Sequence, residues 1–120
     1  MARVLLIGYI RELMEERRNA LIAGGFDVEI ASTAEQASQV IARSTFDAAV
    51  LGFSVPEMER TRFARDLLAA NPAIKIIMLY FSNIKNTELA HALLPTTASV
   101  ADIFRAVAHV LKPEDTSEAG

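Results

Sequence analysis

Apolar and polar residues along the chain switch between two periods. Val4 to Ile7 is a continuous apolar run between Arg3 and Gly8, the pattern of a strand covered on both faces. From Ile10 the period lengthens. Leu13, Met14, Arg17, Ala20 and Leu21 recur at three and four residues, with Glu15, Glu16, Arg18 and Asn19 between them, which predicts an amphipathic helix. Arg11 and Glu15 lie one turn apart on it and can pair, and Gly24-Gly25 stops it. Asp27 to Ala31 reads as a second strand. Ser32 stands three residues before Glu35, the spacing of a capping box, and Ala34, Ala37, Val40 and Ile41 form the inner stripe of a second helix. Asp47 to Leu51 is a third strand, followed by Gly52 and a loop through Pro56. A third helix is expected from Met58 to Ala70, with Phe63, Leu67 and Leu68 inward and Asn71-Pro72 as its stop. Ile74 to Leu79 reads as a fourth strand.

The regularity then fails. Between Tyr80 and Ser99 the pattern allows a short helix near Thr87 to Ala90 and a short strand at Ala92 to Leu94. Ser99 restores order as an N-cap, and Val100, Ile103, Phe104, Val107, Val110 and Leu111 stripe a last helix. Strands alternating with helices at this spacing imply right-handed crossovers and a parallel sheet covered on both faces. The expected fold is α/β: a flavodoxin-like, doubly wound, five-stranded parallel sheet of order 2-1-3-4-5 with five helices, its region between the fourth strand and the last helix shortened. Residues 1–111 form the domain, and 112–120 a polar, acidic tail or the start of a linker.

Composition narrows the function classes. The 120 residues carry 12 Lys+Arg against 15 Asp+Glu, a formal charge of -3, so whole-molecule attraction to nucleic acid or anionic lipid is not expected. With no cysteine there is no disulfide framework, thiolate nucleophile or Cys-ligated zinc. Ile76 to Phe81 is too short an apolar run to span a bilayer. Met1 to Ile10 lacks the small-residue cleavage site of a signal peptide. A soluble, cytoplasmic domain is expected. In a doubly wound sheet the chemistry belongs at the carboxyl ends of the strands.

There the sequence resembles a known family. The strand Val4-Leu5-Leu6-Ile7, the strand Asp47-Ala48-Ala49-Val50-Leu51, the run Val55-Pro56-Glu57-Met58 after it, and the Asn71-Pro72 break before a hydrophobic strand together resemble the receiver domain of bacterial two-component response regulators, the CheY-like domains. The likeness covers Arg3 to Leu111. It implies an aspartate at the end of the third strand that takes a phosphoryl group, an acidic pair after the first strand that holds magnesium, a Ser or Thr ending the fourth strand and a Lys ending the fifth. Carried over residue by residue, the acidic pair falls on Gly8 and Tyr9, the phosphoacceptor on Gly52, the Ser/Thr on Tyr80, and the Lys-Pro pair on Thr96-Thr97. None carries the group the chemistry needs. The resemblance is therefore to a degenerate receiver, with no catalytic residue, no metal and no cofactor expected.

Nearby residues are weak substitutes. Glu12, Glu57 and Glu59 lie at helix starts, where acidic residues suit the helix dipole. Asp47 is at the opposite end of its strand. Ser54 is a loop serine that an external kinase would have to modify. Tyr9 or Tyr80 either fills the space of the lost carboxylates or, for Tyr80, points to solvent. Phe81 and Ile84 are candidates for an exposed contact surface, or for covering the end of a shortened sheet. His91 and His109 lack partners at metal-ligand spacing, and Arg60, Arg62 and Arg65 beside Glu57, Glu59 and Asp66 read as a mixed-charge solvated face.

The expected function is signal transduction without aspartyl phosphorylation, as a protein-interaction module rather than an enzyme. The partner is a signalling kinase, an output domain, a regulator or a second copy of the chain. A receiver-like domain that senses a small molecule at the strand ends is the competing expectation.

Overall fold

The computed structural model describes residues 1–80 and 89–112. In chain order the elements are β1 (Arg3–Ile7), α1 (Arg11–Ala23), β2 (Asp27–Ala31), α2 (Ala34–Arg43), β3 (Ala48–Leu51), α3 (Glu57–Ala70), β4 (Lys75–Tyr80), β5 (Ala92–Pro95) and α4 (Val100–Leu111). The five strands form one sheet of order β2-β1-β3-β4-β5, and every pairing is parallel. This is the expected order. Of the short helix expected at 87–90, only Leu89 and Ala90 fall inside the described residues, which hold four helices. No helix among the described residues is long and apolar enough to cross a membrane.

Period-two side-chain geometry sorts each strand between two cores. Leu5, Ile7, Ala49, Leu51, Ile76 and Met78 face α2 and α3, where they meet Ala37, Val40, Ile41, Phe63 and Leu67. Val4, Leu6, Ala48, Val50, Ile77 and Leu79 face α1 and α4, against Met14, Leu21, Ile103 and Val107. Each fully buried aliphatic contributes roughly 1.5–3 kcal/mol over leaving it exposed, so the alternation fixes which way each strand faces. A one-residue slip would exchange the two sets between the cores and misfit both.

Helix ends show where local chemistry decides the boundaries. Ser99 caps α4 in a full capping box: its Oγ accepts from the Asp102 amide at 3.1 Å, and the Asp102 carboxylate accepts from the Ser99 amide at 3.0 Å. At α2 the expected box is displaced by one residue. Thr33 rather than Ser32 is the cap, its hydroxyl accepting from the Gln36 amide at 3.0 Å. Because the helix begins at Ala34, the third helical residue is Gln36, not Glu35. Its Oε1 reaches back to the Ser32 amide at 2.8 Å. Asn71 ends α3 and also holds its neighbours: its Nδ2 donates to the Phe46 carbonyl at 2.9 Å, and its Oδ1 accepts from the Ala73 amide at 3.1 Å. By contrast α1 and α3, which start at the ends of β1 and β3, have Ile10 and Pro56 at their caps and no side-chain capping bond.

β5 lies at the sheet edge, with Tyr80 level with Pro95. Its start is clasped by His91, whose amide donates to the Ile76 carbonyl at 2.7 Å while its ring Nδ1 accepts from the Ile76 amide at 2.9 Å. An isolated histidine in sequence is here a backbone acceptor. Burial, and then nearby Lys75, depress its pKa, which keeps the ring in the neutral form that can accept.

Candidate functional site

The sheet brings Gly8, Tyr9, Gly52, Tyr80 and Thr96 to the carboxyl ends of its four adjoining strands β1, β3, β4 and β5. Gly8 is buried; its amide donates to the Ala31 carbonyl at 3.2 Å. A Cβ there would come within 2.7 Å of Met14 Sδ and Cε, so the thioether of α1 occupies the space a side chain would take. Gly52 is also buried, its amide bonded to the Ile7 carbonyl at 2.8 Å. Neither backbone φ demands glycine: among the described glycines only Gly25 has a positive φ. Tyr80 and Thr96 are half-buried, joined by the Thr96 amide donating to the Tyr80 carbonyl at 3.1 Å.

Tyr9 crosses between elements. Its amide donates to Ser54 Oγ at 2.8 Å, and its hydroxyl donates to Glu59 Oε1 at 2.6 Å. The ring packs against the core under α2 and α3. This ties the loop after β1 to the loop after β3 and to the first turn of α3. Burial first, and then the bond and negative charge of Glu59, push the phenol pKa above its ordinary value. Ser54 thus acts as an acceptor in the loop, and Glu59 is held by the phenol.

Two arginines complete the site, one from each helical layer. Arg60 is buried, and its Nη1 donates to the Leu79 carbonyl at 3.1 Å. It does not belong to a solvated face, as its charged sequence neighbours suggest. Residues 60, 63, 64 and 67 form the inner stripe of α3, and the stem of an arginine at the first of these is buried while its head meets a strand-end carbonyl. Arg17 comes from the middle of α1. It is 5% exposed, and its Nη1 is fully buried with no hydrogen-bond partner among the described residues. Helical side chains lean toward the helix N-terminus, which carries this one up to the strand ends. There Nη1 lies 3.5 Å from the point a Cβ on Gly52 would occupy, with Gly8 Cα and the Ile7 carbonyl bordering the same point at 3.7 and 3.3 Å. Burial depresses the Arg17 pKa, with Glu16 opposing, yet guanidinium stays protonated in proteins.

The sequence pattern placed Arg17 on the buried stripe but attached no chemistry to it. A charged residue on an apolar stripe was the available signal. What it could not give was the end point of a long side chain. Phe81 and Ile84 lie outside the described residues. A polar groove of about 420 Å³ runs elsewhere, along edge strand β2 between Arg11, Arg18, Gln36 and Arg43.

Magnesium requires several hard oxygen ligands. Gly8, Tyr9 and Gly52 supply no carboxylate, Glu59 is engaged by Tyr9, and the Arg17 cation faces the same point. Among the described residues no three His, Cys, Asp or Glu side chains cluster as a metal site would need. The residues do not fit the ion.

Known proteins share this architecture. A receiver domain protein from Methanospirillum hungatei superposes with a TM-score of 0.82 at 21% identity, over 100% of this chain and 99% of that one. The chain has the CheY-like receiver fold. The HemR receiver domain of Leptospira biflexa, in a non-phosphorylated structure, gives a TM-score of 0.81 at 19% identity, covering 96% and 98%. The Thermotoga maritima response regulator TrrA, solved with magnesium and beryllofluoride, gives 0.78 at 18%, covering 92% and 100%. In sequence, the chain is 25% identical over 126 aligned positions to the response regulator MprA of Mycobacterium leprae. That match takes in 98% of this chain but 55% of MprA, so the chain spans about half the length of its curated relative. No protein-family model matches.

Proposed function

We infer that the chain is a receiver-like signalling module that works without aspartyl phosphorylation, through contact with a protein partner in the cytoplasm. One observation carries the reading. Where a receiver needs a nucleophilic carboxylate backed by a metal, this chain has Gly52 faced by the buried guanidinium of Arg17. Phosphoryl transfer needs a nucleophile and a means of offsetting the charge that builds on the transferred group. A fixed cation offsets charge but supplies no nucleophile. Response regulator receiver domains interact with kinases and output domains, and those, or a second copy of the chain, are the partners proposed here. Phe81 and Ile84, apolar and directly after β4 in sequence, are the first residues to replace with alanine in mapping the contact.

The test uses amide NMR and intact mass. Magnesium with beryllofluoride should leave the Gly8, Gly52 and Thr96 amides unmoved, and incubation with magnesium and acetyl phosphate should add no phosphoryl mass. Discrete shifts centred on Gly52, or a phosphorylated species, would overturn the reading.

A further inference from the structure

Arg17 and Arg60 differ in how their buried heads are satisfied. Arg60, buried to a similar degree, gives its Nη1 to a carbonyl, whereas Arg17 Nη1 is buried with no acceptor among the described residues. Buried charged donors are normally paired, because an unpaired one bears its whole desolvation cost. The surroundings share this polarity. The N-termini of α1 and α3 start at the ends of β1 and β3 with no side-chain bond from their cap residues, so the positive ends of both dipoles lie at this end of the sheet. The 13 and 14 residues of these helices make both dipoles substantial. Against this stand Glu12, Glu57 and Glu59. Glu12 is exposed and Glu59 is bonded to Tyr9, while Glu57 acts on the Arg60 charge.

We propose that the strand ends around Gly52 form a binding site for a small oxyanion, a phosphate or a carboxylate, anchored by the guanidinium of Arg17. The planar fork of arginine suits the paired oxygens of either group. The absent side chains at Gly8 and Gly52 leave backbone, not competing carboxylates, on the strand side. Met14 and Tyr9 crowd the same ends, which restricts the ligand to a few heavy atoms. The proposal rests on the inferred absence of phosphoryl transfer only in that both take Gly52 as it stands. Reversible anion binding would not create a nucleophile.

Inorganic phosphate, sulfate and acetate are titrated separately into the isotope-labelled full chain without magnesium, with sodium chloride holding ionic strength constant. The amides of Gly8 and Gly52 and the guanidinium resonances of Arg17 are followed. At least one anion should produce saturable shifts at all three, with a dissociation constant on the order of millimolar. Arg17→Met should weaken that binding at least tenfold while keeping a folded spectrum. Whether phosphate and sulfate or acetate bind tighter separates a tetrahedral from a planar ligand, and either supports the site. Shifts that stay linear in concentration, an unmoved Arg17 resonance, or undiminished binding in Arg17→Met would each overturn it. The wild-type Arg17 resonance decides the matter even if the variant does not fold. Phosphate binding alongside a negative acetyl phosphate experiment supports both inferences, whereas phosphorylation without reversible phosphate binding sinks both.

Discussion

Placing a carboxylate at position 52 tests the site most directly, because the structure fixes what the new side chain meets. In Gly52→Asp the Cβ comes 3.5 Å from Arg17 Nη1, 3.7 Å from Gly8 Cα and 3.3 Å from the Ile7 carbonyl oxygen. The first two are ordinary contacts and the third is tight. Since φ at Gly52 is not positive, the backbone accepts the change, and losing a glycine from the unfolded chain favours folding by about 0.4–1 kcal/mol. A charge-assisted bond to the orphaned donor contributes about 1.5–3 kcal/mol. Desolvating the carboxylate and approaching the Ile7 carbonyl oppose it. Gly52→Asn carries the same shape without the charge and is therefore the reference. At pH 7 the aspartate variant should be more stable than the asparagine variant by about 1–2 kcal/mol, read from urea unfolding midpoints with equal slopes. The cation depresses the folded-state pKa of Asp at 52 below the unfolded value of about 3.9, so the advantage is fully present above that value and is lost as pH falls through the folded pKa. It should also vanish in an Arg17→Met background, by double-mutant cycle. If Gly52→Asp is no more stable than Gly52→Asn at pH 7, or keeps its advantage without Arg17, the placement of the guanidinium is wrong.

Three further outcomes can be checked on the isolated chain. Tyr9→Phe should cost about 1 kcal/mol through the lost bond to Glu59. Because the folded Tyr9 pKa is raised, wild-type stability should fall as pH rises beyond about 10, where the unfolded phenol ionises, and the variant should lose that part of the fall. His91 has a depressed folded pKa. Stability should therefore decline as pH drops below the ordinary histidine value near 6.5, and pH-dependent melting of His91→Gln should show a shallower decline. A Cβ on Gly24 would run into the Phe104 ring, so Gly24→Ala should destabilise by about 1–3 kcal/mol. Shrinking the ring with Phe104→Leu should recover part of that loss in the double variant.

How much of this was legible without coordinates depends on the range of the interaction. Val4 to Ile7 and Ala48 to Leu51 declare themselves as doubly covered strands because burial on both faces leaves no polar position. The strand order follows from connection rules. The α2 boundary moved by one residue because Ser32 and Thr33 are both competent caps, and only the start at Ala34 selects between them. Arg60 was misread because its neighbours Glu59, Thr61 and Arg62 are polar, and composition in a window outweighed its place one turn before Phe63 and Ala64. The bonds of Tyr9 to Ser54 and Glu59 span 45 and 50 residues of sequence, beyond the reach of any local pattern. Gly8 and Gly52 drew notice in the sequence only through the resemblance, which sets them where a receiver has carboxylates. What entered instead, the Met14 thioether and the Arg17 guanidinium, was visible only once α1 was laid across the sheet.

The unpaired Nη1 of Arg17 also bears on how position 17 would respond to selection. An apolar side chain of similar length leaves no buried donor unmet, and replacing buried charge by well-packed apolar groups is often neutral or stabilising. In a library varied at position 17 and sorted only for folded, protease-resistant chains, methionine or leucine should outcompete the native arginine. Sorted instead for whatever the domain does in its cell, arginine should return. The gap between the two rankings would measure how much fold stability this protein forgoes for its task at that one residue.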